Sequence, residues 1–496
     1  MTKQVYNPYL PLNTYIPDGE PHVFGDRVYV YGSHDREGGS DFCVGDYEVW
    51  SASVDDLTNW TCPGAAYCAK QDPHYTANYN NAMFAPDCVQ GKDGRYYLYY
   101  ALSGGHFTDS IHVAVSQYPD RDFQYYGAVH EADGREMITY ITFDPAVFND
   151  DGTFRLYYGW SLEGSYAKKS SMSREQLMQA EMMLFQKTKE ELEASPEDIM
   201  GANTVALMDD MLTIRHFPRR IVPGGFSSEG TSFAEHPFFE ASSMRKIGDT
   251  YYFIYSSDRQ HELCYATSRY PDRDFVFGGV LISNGDLGYH GQTVKQMLTG
   301  NNHGSLVQIK GQWYLFYHRQ THKNTYSRQG CAEKITILPD GRIPQVQMTS
   351  CGLNQGALVA EGSYPAPICC CLTNGHMPHA CREDVPEGTP IITHEGQEHF
   401  LDDLADGVTV GYRFFAFHGE TMLTLTLRGT LNGTLTLRTE ERKLGKVHVL
   451  PCEHWTDVSL PVYAQGDHAL YMDVSGAGKL AIKALSFSPL RGGKQA

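Results

Sequence analysis

Short apolar strands, each followed by a Gly/Asp turn and a tyrosine-rich strand, recur five times in the first two-thirds of the chain. The segments are HVFGDRVYVYGS from His22, DCVQGKDGRYYLYYALSG from Asp87, PAVFNDDGTFRLYYGWS from Pro145, SMRKIGDTYYFIYSSD from Ser243 and SLVQIKGQWYLFYHR from Ser305. Each predicts a β-hairpin, turning at Gly25-Asp26, Asp93-Gly94, Asp151-Gly152, Gly248-Asp249 and Lys310-Gly311. Their starts lie 65, 58, 98 and 62 residues apart, which leaves room for a four-stranded unit each time. Four-stranded sheets arrayed around an axis form a β-propeller, and five units fall within the usual range of about four to eight blades. The pattern therefore predicts an all-β protein with a five-bladed β-propeller over residues 1–358, in preference to a β-sandwich with coincidental hairpins.

The 98-residue interval needs its own account. Strand alternation stops between Tyr166 and Arg215, where Ser173-Arg-Glu-Gln176 reads as a capping box, with Leu177, Ala180, Met183, Leu184 and Leu192 near helical spacing. A second start at Ser195-Pro196-Glu197-Asp198 completes an expected helical hairpin, inserted at about residues 166–215, whose apolar stripe is expected to pack. Past Ala357 the aromatic hairpins end. Segments such as VGYRFFAFHG, TMLTLTLRG, GTLTLRTE and HALYMDVSG then alternate apolar and polar residues, predicting a β-sandwich accessory domain over 359–496.

Charge narrows the partners. The 496 residues carry 40 Lys+Arg against 59 Asp+Glu, a formal charge of −19, which argues against nucleic acid and against anionic membrane surfaces. No leader-like or membrane-spanning apolar run is expected. The twelve Cys, without CxxC spacing, read as reduced thiols of a cytoplasmic protein.

Around a propeller axis, the start of each innermost strand faces one cavity. Asp18, Asp87, Asp144, Glu240 and His303 stand at those places. Carboxyl groups converging there repel, so at least one is held protonated or a cation is present. A raised-pKa acid beside ionised carboxylates is what glycoside hydrolysis uses, and a separation of about 6.5–9.5 Å between acid and base gives inversion. Glu240, among Phe238, Phe239 and small residues, suits the acid; Asp18 suits the base; Asp144 suits a group that orients and tunes the acid. Glu20 is a rival base.

The ordered motifs YIPDGEPHVFGDRVYVYGSHD, MFAPDCVQGKDGRYYLYY, FDPAVFNDDG, FFEASSMRKIGDTYYFIYSS and NHGSLVQIKGQWYLFYHR resemble glycoside hydrolase family 43 over residues 6–345, apart from the insertion. The resemblance implies an inverting exo-glycosidase, most often an α-L-arabinofuranosidase or β-D-xylosidase, acting on an oligosaccharide. It assigns Asp18 as general base, Asp144 as pKa modulator and Glu240 as general acid. It also implies that Phe84 stacks on the sugar, that Arg328 binds substrate hydroxyls with Asp87 and His303 beside them, and that His303 lies near a calcium or other cation. No cofactor is required. The base motif departs from the family's Ala-Asp-Pro, reading Pro17-Asp18-Gly19. The tail is similar to carbohydrate-binding module family 6. A xylosidase or dual-activity enzyme, and a non-catalytic sugar-binding propeller, are the alternatives.

Overall fold

The computed structural model describes residues 3–77, 80–103, 110–137, 142–161, 173–185, 188–190 and 201–490. The predicted hairpins become the two inner strands of five antiparallel sheets with sequential strand order. The first comprises Glu20–Phe24, Arg27–Tyr31, Trp50–Ser53 and Asp56–Thr61; the second Asp87–Gln90, Tyr96–Ala101, Ile111–Ser116 and Gln124–Ala128. The third comprises Ala146–Asp150, Thr153–Trp160, Gly201–Ala206 and Arg219–Pro223; the fourth Phe238–Ile247, Thr250–Ser257, Glu262–Ser268 and Val276–Ser283. The fifth has three strands among the described residues, Leu306–Ile309, Gln312–Gln320 and Arg328–Ile335, one fewer than the repeat length suggests.

Turn chemistry sets the registers. Asp150 pairs with Thr153 and Ile309 with Gln312, leaving two-residue turns in which Asp151, Gly152, Lys310 and Gly311 all have positive φ. That is the type I′ geometry whose twist matches the flanking strands. The second strand of each blade is covered on both faces by neighbouring blades, so Tyr97–Ala101 and Tyr251–Ser257 are buried without alternation. This covering is why the tyrosine runs are continuous.

The innermost strands touch around the ring. A parallel bridge from Gly19 to Gly304 joins the first blade to the fifth. Gly304 is required there, since a Cβ would stand 1.9 Å from the Phe316 carbonyl oxygen. The fourth and fifth blades are tied by Ser243 Oγ and Ser305 Oγ, 2.6 Å apart.

The expected helical hairpin over about 166–215 is not supported. The described residues of that stretch include the helix Arg174–Phe185, capped by the reciprocal Ser173 and Gln176 hydrogen bonds. The second expected start, at Ser195, lies outside the described residues. Gly201–Ala206 is already the third strand of its blade, and Met183, expected on the packed stripe, is 80% exposed. Among the described residues no helix is long and apolar enough to cross a membrane.

The C-terminal region is a single hydrogen-bonded ten-stranded sheet, run through by the long strands Thr409–Gly429 and Cys452–Ala477. Its buried face shares one core with the last two blades, in which Tyr252, Leu281 and Leu315 pack with Leu372, Phe415 and Leu425. Buried Arg319 donates to the carbonyls of Pro367 and Cys369 at 2.7 and 2.9 Å, and Arg413 pairs with Asp286 across the same boundary.

Candidate active site

Asp18 and Asp144 immediately precede innermost strands, and both adopt left-handed backbone, with φ 60° and 47°. Glu240 sits inside the innermost strand of the fourth blade, between two register shifts, with Ala241 at φ 71°. A positive φ at alanine is costly and persists only where surroundings enforce it. Here the Ala241 N–H donates to Asp144 Oδ2 at 3.0 Å, joining the third-blade carboxyl to the bulge that carries Glu240.

Arg328, 2% exposed, organises the surroundings of Asp18. It donates from Nη1 to Asp18 Oδ1 at 3.0 Å, and from Nε and Nη2 to the two oxygens of Asp35 at 2.8 and 3.0 Å. The fork geometry explains why arginine stands here: a lysine cannot bind both carboxylates in fixed directions. Asp35 also accepts from the backbone of Arg328 and of Cys43, and the Phe42 ring covers the guanidinium, its centroid 4.8 Å from Cζ. His318 Nε2 lies 2.7 Å from the Asn301 carbonyl oxygen, and its Nδ1 lies 3.3 Å from both the backbone nitrogen and Oδ1 of Asp18.

These environments separate the carboxyls. Burial pushes Asp18 upward, but the Arg328 guanidinium and His318 outweigh it and hold Asp18 well below the usual carboxylate range. Burial, then the negative charge of Asp18, pushes Glu240 up to about 7, against lowering contributions from Arg328, Asn301 and Trp160. Asp144 is raised by burial, Glu240 and Asp18. The three therefore act on one another electrostatically within one site. The arrangement can hold an ionised acceptor and a protonated donor together near neutral pH, the combination general acid and base catalysis needs.

A family model described as Glycosyl hydrolases family 43 matches residues 11–343. The chain belongs to family 43. It is 40% identical to a xylosidase/arabinosidase of Thermoclostridium stercorarium, over 98% of this chain and 99% of that one. It is 30% identical to a xylosidase/arabinosidase of Bacteroides ovatus, over 68% and 97%. The crystal structure of the GH43_1 enzyme from Xanthomonas citri complexed with xylose superposes with a TM-score of 0.51 at 25% identity, covering 69% of this chain and 93% of that one. This family 43 chain is an enzyme, a glycosidase.

The remaining expected residues divide. Phe84 is half-buried beside Phe143, the neighbour of Asp144, with ring centroids 5.0 Å apart. His303 Nδ1 is 3.6 Å from Asp144 Oδ2. Asp87 has its oxygens engaged between blades: it accepts from Cys88 N and Val147 N, both at 2.7 Å, and lies 2.6 Å from His22 Nε2, joining the first three blades. Glu20, weighed as a base, pairs with Arg245 Nη2 at 2.7 Å across to the fourth blade. Sequence reasoning passed over Asp35, His318 and Asn301. Asp35 ends the quoted YGSHD motif and His318 lies in FYHR, but neither begins an innermost strand.

Proposed function

We propose that this enzyme is an inverting, exo-acting hydrolase that removes a terminal pentose from plant-derived oligosaccharides. The observation that carries the reading is the opposed setting of two carboxyls, Asp18 held ionised by Arg328 and Glu240 held protonated by burial and by Asp18. Glu240 gives its proton to the leaving glycosidic oxygen as the anomeric bond breaks. Asp18 takes a proton from a water that attacks the anomeric carbon from the other face, and the sugar leaves with inverted configuration. Asp144 positions the Glu240 bulge through Ala241, its own carboxyl pushed upward by burial, Glu240 and Asp18. Phe84, Arg328 and His303 are assigned to the sugar.

The relatives named for both activities support α-L-arabinofuranosides as substrate and, as a second reading, β-D-xylosides, which the X. citri complex with xylose favours. Paired assays on nitrophenyl arabinofuranoside and xylopyranoside, with NMR of the first-formed anomer, test substrate and inversion together; turnover of neither, or net retention, overturns the proposal.

Acid, base and water suffice for this chemistry, so no redox or group-transfer cofactor enters it. A cation near the axis has one nitrogen available: His303 Nε2 is buried without a hydrogen-bond partner among the described residues, and burial holds the ring neutral by lowering its pKa to about 4. His303 belongs to none of the three-donor clusters among those residues, so such an ion is held mainly through water. Chelation followed by calcium add-back tests it.

We read the C-terminal sheet as a sandwich whose task is support. Trp455, its aromatic in the HWTDVSLPVY segment, is covered by Arg428 and Lys483 at 4.4 and 4.9 Å from the ring centroid and by Phe400. All twelve cysteines are free, which supports a reducing, cytoplasmic setting and short imported oligosaccharides as substrates.

A further inference from the structure

A cluster of metal-ligating side chains stands where the C-terminal domain meets the propeller. Glu37 lies in the first-blade loop after Arg27–Tyr31, His322 follows the second strand of the fifth blade, and His394 belongs to the C-terminal strand Ile391–Glu395. One ligand atom from each lies within 4.8 Å of the others. His322 Nε2 is 2.9 Å from His394 Nδ1, and that nitrogen is 3.4 Å from Glu37 Oε1. Ligands bound tetrahedrally to zinc at about 2.0–2.1 Å are about 3.3 Å from one another, so both edges are near the length a zinc ion imposes.

The hydrogen bonds around the cluster set its tautomers. Thr321 Oγ1 spends its proton on the Ser327 carbonyl at 2.6 Å, so it can only accept from His322 Nδ1, 2.9 Å away. His322 thus carries its proton on Nδ1 and turns a bare Nε2 lone pair toward His394. An outer nitrogen tied to a protein oxygen is how ligating histidines are oriented. Glu37 Oε1 is steadied by Tyr15 Oη at 2.7 Å and by His399 Nε2 at 2.6 Å. His399 faces His394 across its hairpin, so both imidazoles leave the same side of the sheet. The Glu37 and His394 side chains are 23% and 28% exposed, which gives an ion a way in.

We propose that Glu37, His322 and His394 bind one divalent cation of the zinc class, clamping the C-terminal domain to the propeller. Two imidazoles and a carboxylate are a borderline donor set that selects zinc over calcium or magnesium. The fourth position is left to water or to His399. The clamp lies beside the catalytic base: Asp35, two residues before Glu37, holds Arg328, and the Arg36 carbonyl accepts from Ser327 Oγ at 3.0 Å.

The test uses the full chain, stripped with EDTA and desalted, then titrated calorimetrically with zinc chloride, with Co²⁺ as a visible-absorption probe and Tm as a third readout. Three other three-donor clusters exist among the described residues, at Asp72/His74/His112, His236/Glu262/Cys264 and Glu20/His22/Asp87, so the comparison with variants decides the result. We expect the parent to bind zinc at micromolar or lower concentration with a rise in Tm. His394→Ala and Glu37→Gln should each weaken one binding event at least tenfold and lose its Tm gain. Glu37→Gln changes no volume and stands in should His394→Ala fail to fold. No micromolar zinc binding by the parent, or unchanged binding in the folded variants, overturns the proposal.

Discussion

Arg328 reaches Asp18 with one guanidinium nitrogen at 3.0 Å while its other two hold Asp35. The pair joins the chain's beginning to the last blade, 310 residues apart, inside a nearly solvent-free site. Asp18 is thereby kept ionised where burial alone would favour its neutral form.

Replacing Arg328 by Lys leaves one charge for two carboxylates and removes the fork. The Asp18 pKa should rise, so the acid limb of kcat/KM should move to higher pH in the variant. A pH–rate profile checks this, and an acid limb unchanged from the parent would separate Arg328 from the ionisation of Asp18.

Glu240→Gln and Asp18→Asn should each lower kcat/KM by about 10²–10⁴-fold, the usual range for losing a positioned acid or base. Circular dichroism should show both variants folded. For aryl substrates with acidic leaving groups, which need little protonation, Glu240→Gln should lose less than on natural linkages; equal losses on both would contradict its role as acid.

Since Glu240 must be protonated and its pKa stands at about 7, parent activity should fall as pH rises through about 7. The stability sign follows from linkage. The native state holds the Glu240 proton over a range, from the usual carboxylate value up to about 7, in which the unfolded chain has lost it, so this group makes stability fall with rising pH there. Glu240→Gln should therefore match the parent's Tm at acid pH and exceed it at pH 8, as measured by calorimetry.

Asp87→Ala removes the acceptor for Val147 N, Cys88 N and His22, leaving buried donors unpaired at a cost of about 1–3 kcal/mol each. The variant should lose stability while KM stays near the parent value. A selective rise in KM with unchanged Tm would return Asp87 to the sugar site.

Deleting residues 359–496 would expose the shared core around Leu281, Leu315 and Tyr252, take the Pro367 and Cys369 carbonyls from Arg319 and take Arg413 from Asp286. Removing one partner of a buried ion pair costs about 3–5 kcal/mol where the other charge stays buried. The truncated propeller should aggregate or melt well below the full chain in a thermal scan.

The five hairpins, their turns and the change of pattern near Ala357 were legible in the sequence because each rests on local chemistry. Glycine and aspartate accept positive φ at the turns, and tyrosine-rich runs mark strands covered on both faces. The carboxylates were legible for the same reason, as repeated polar positions at strand starts. Asp87 shows the limit of that logic, since its place in the repeat matches the others while its oxygens are taken up between blades. The strand Gly201–Ala206, inside the expected insertion, was hidden because it is small-residue and buried, with no alternation to read. Only tertiary structure decided that Asp35 and Arg328 meet, that Ala241 carries Glu240 on a bulge, and that Glu37, His322 and His394 converge from three parts of the chain. Those contacts join residues about 70 to 360 positions apart. No periodicity records them, because they arise from the closure of the ring and the docking of one domain on another.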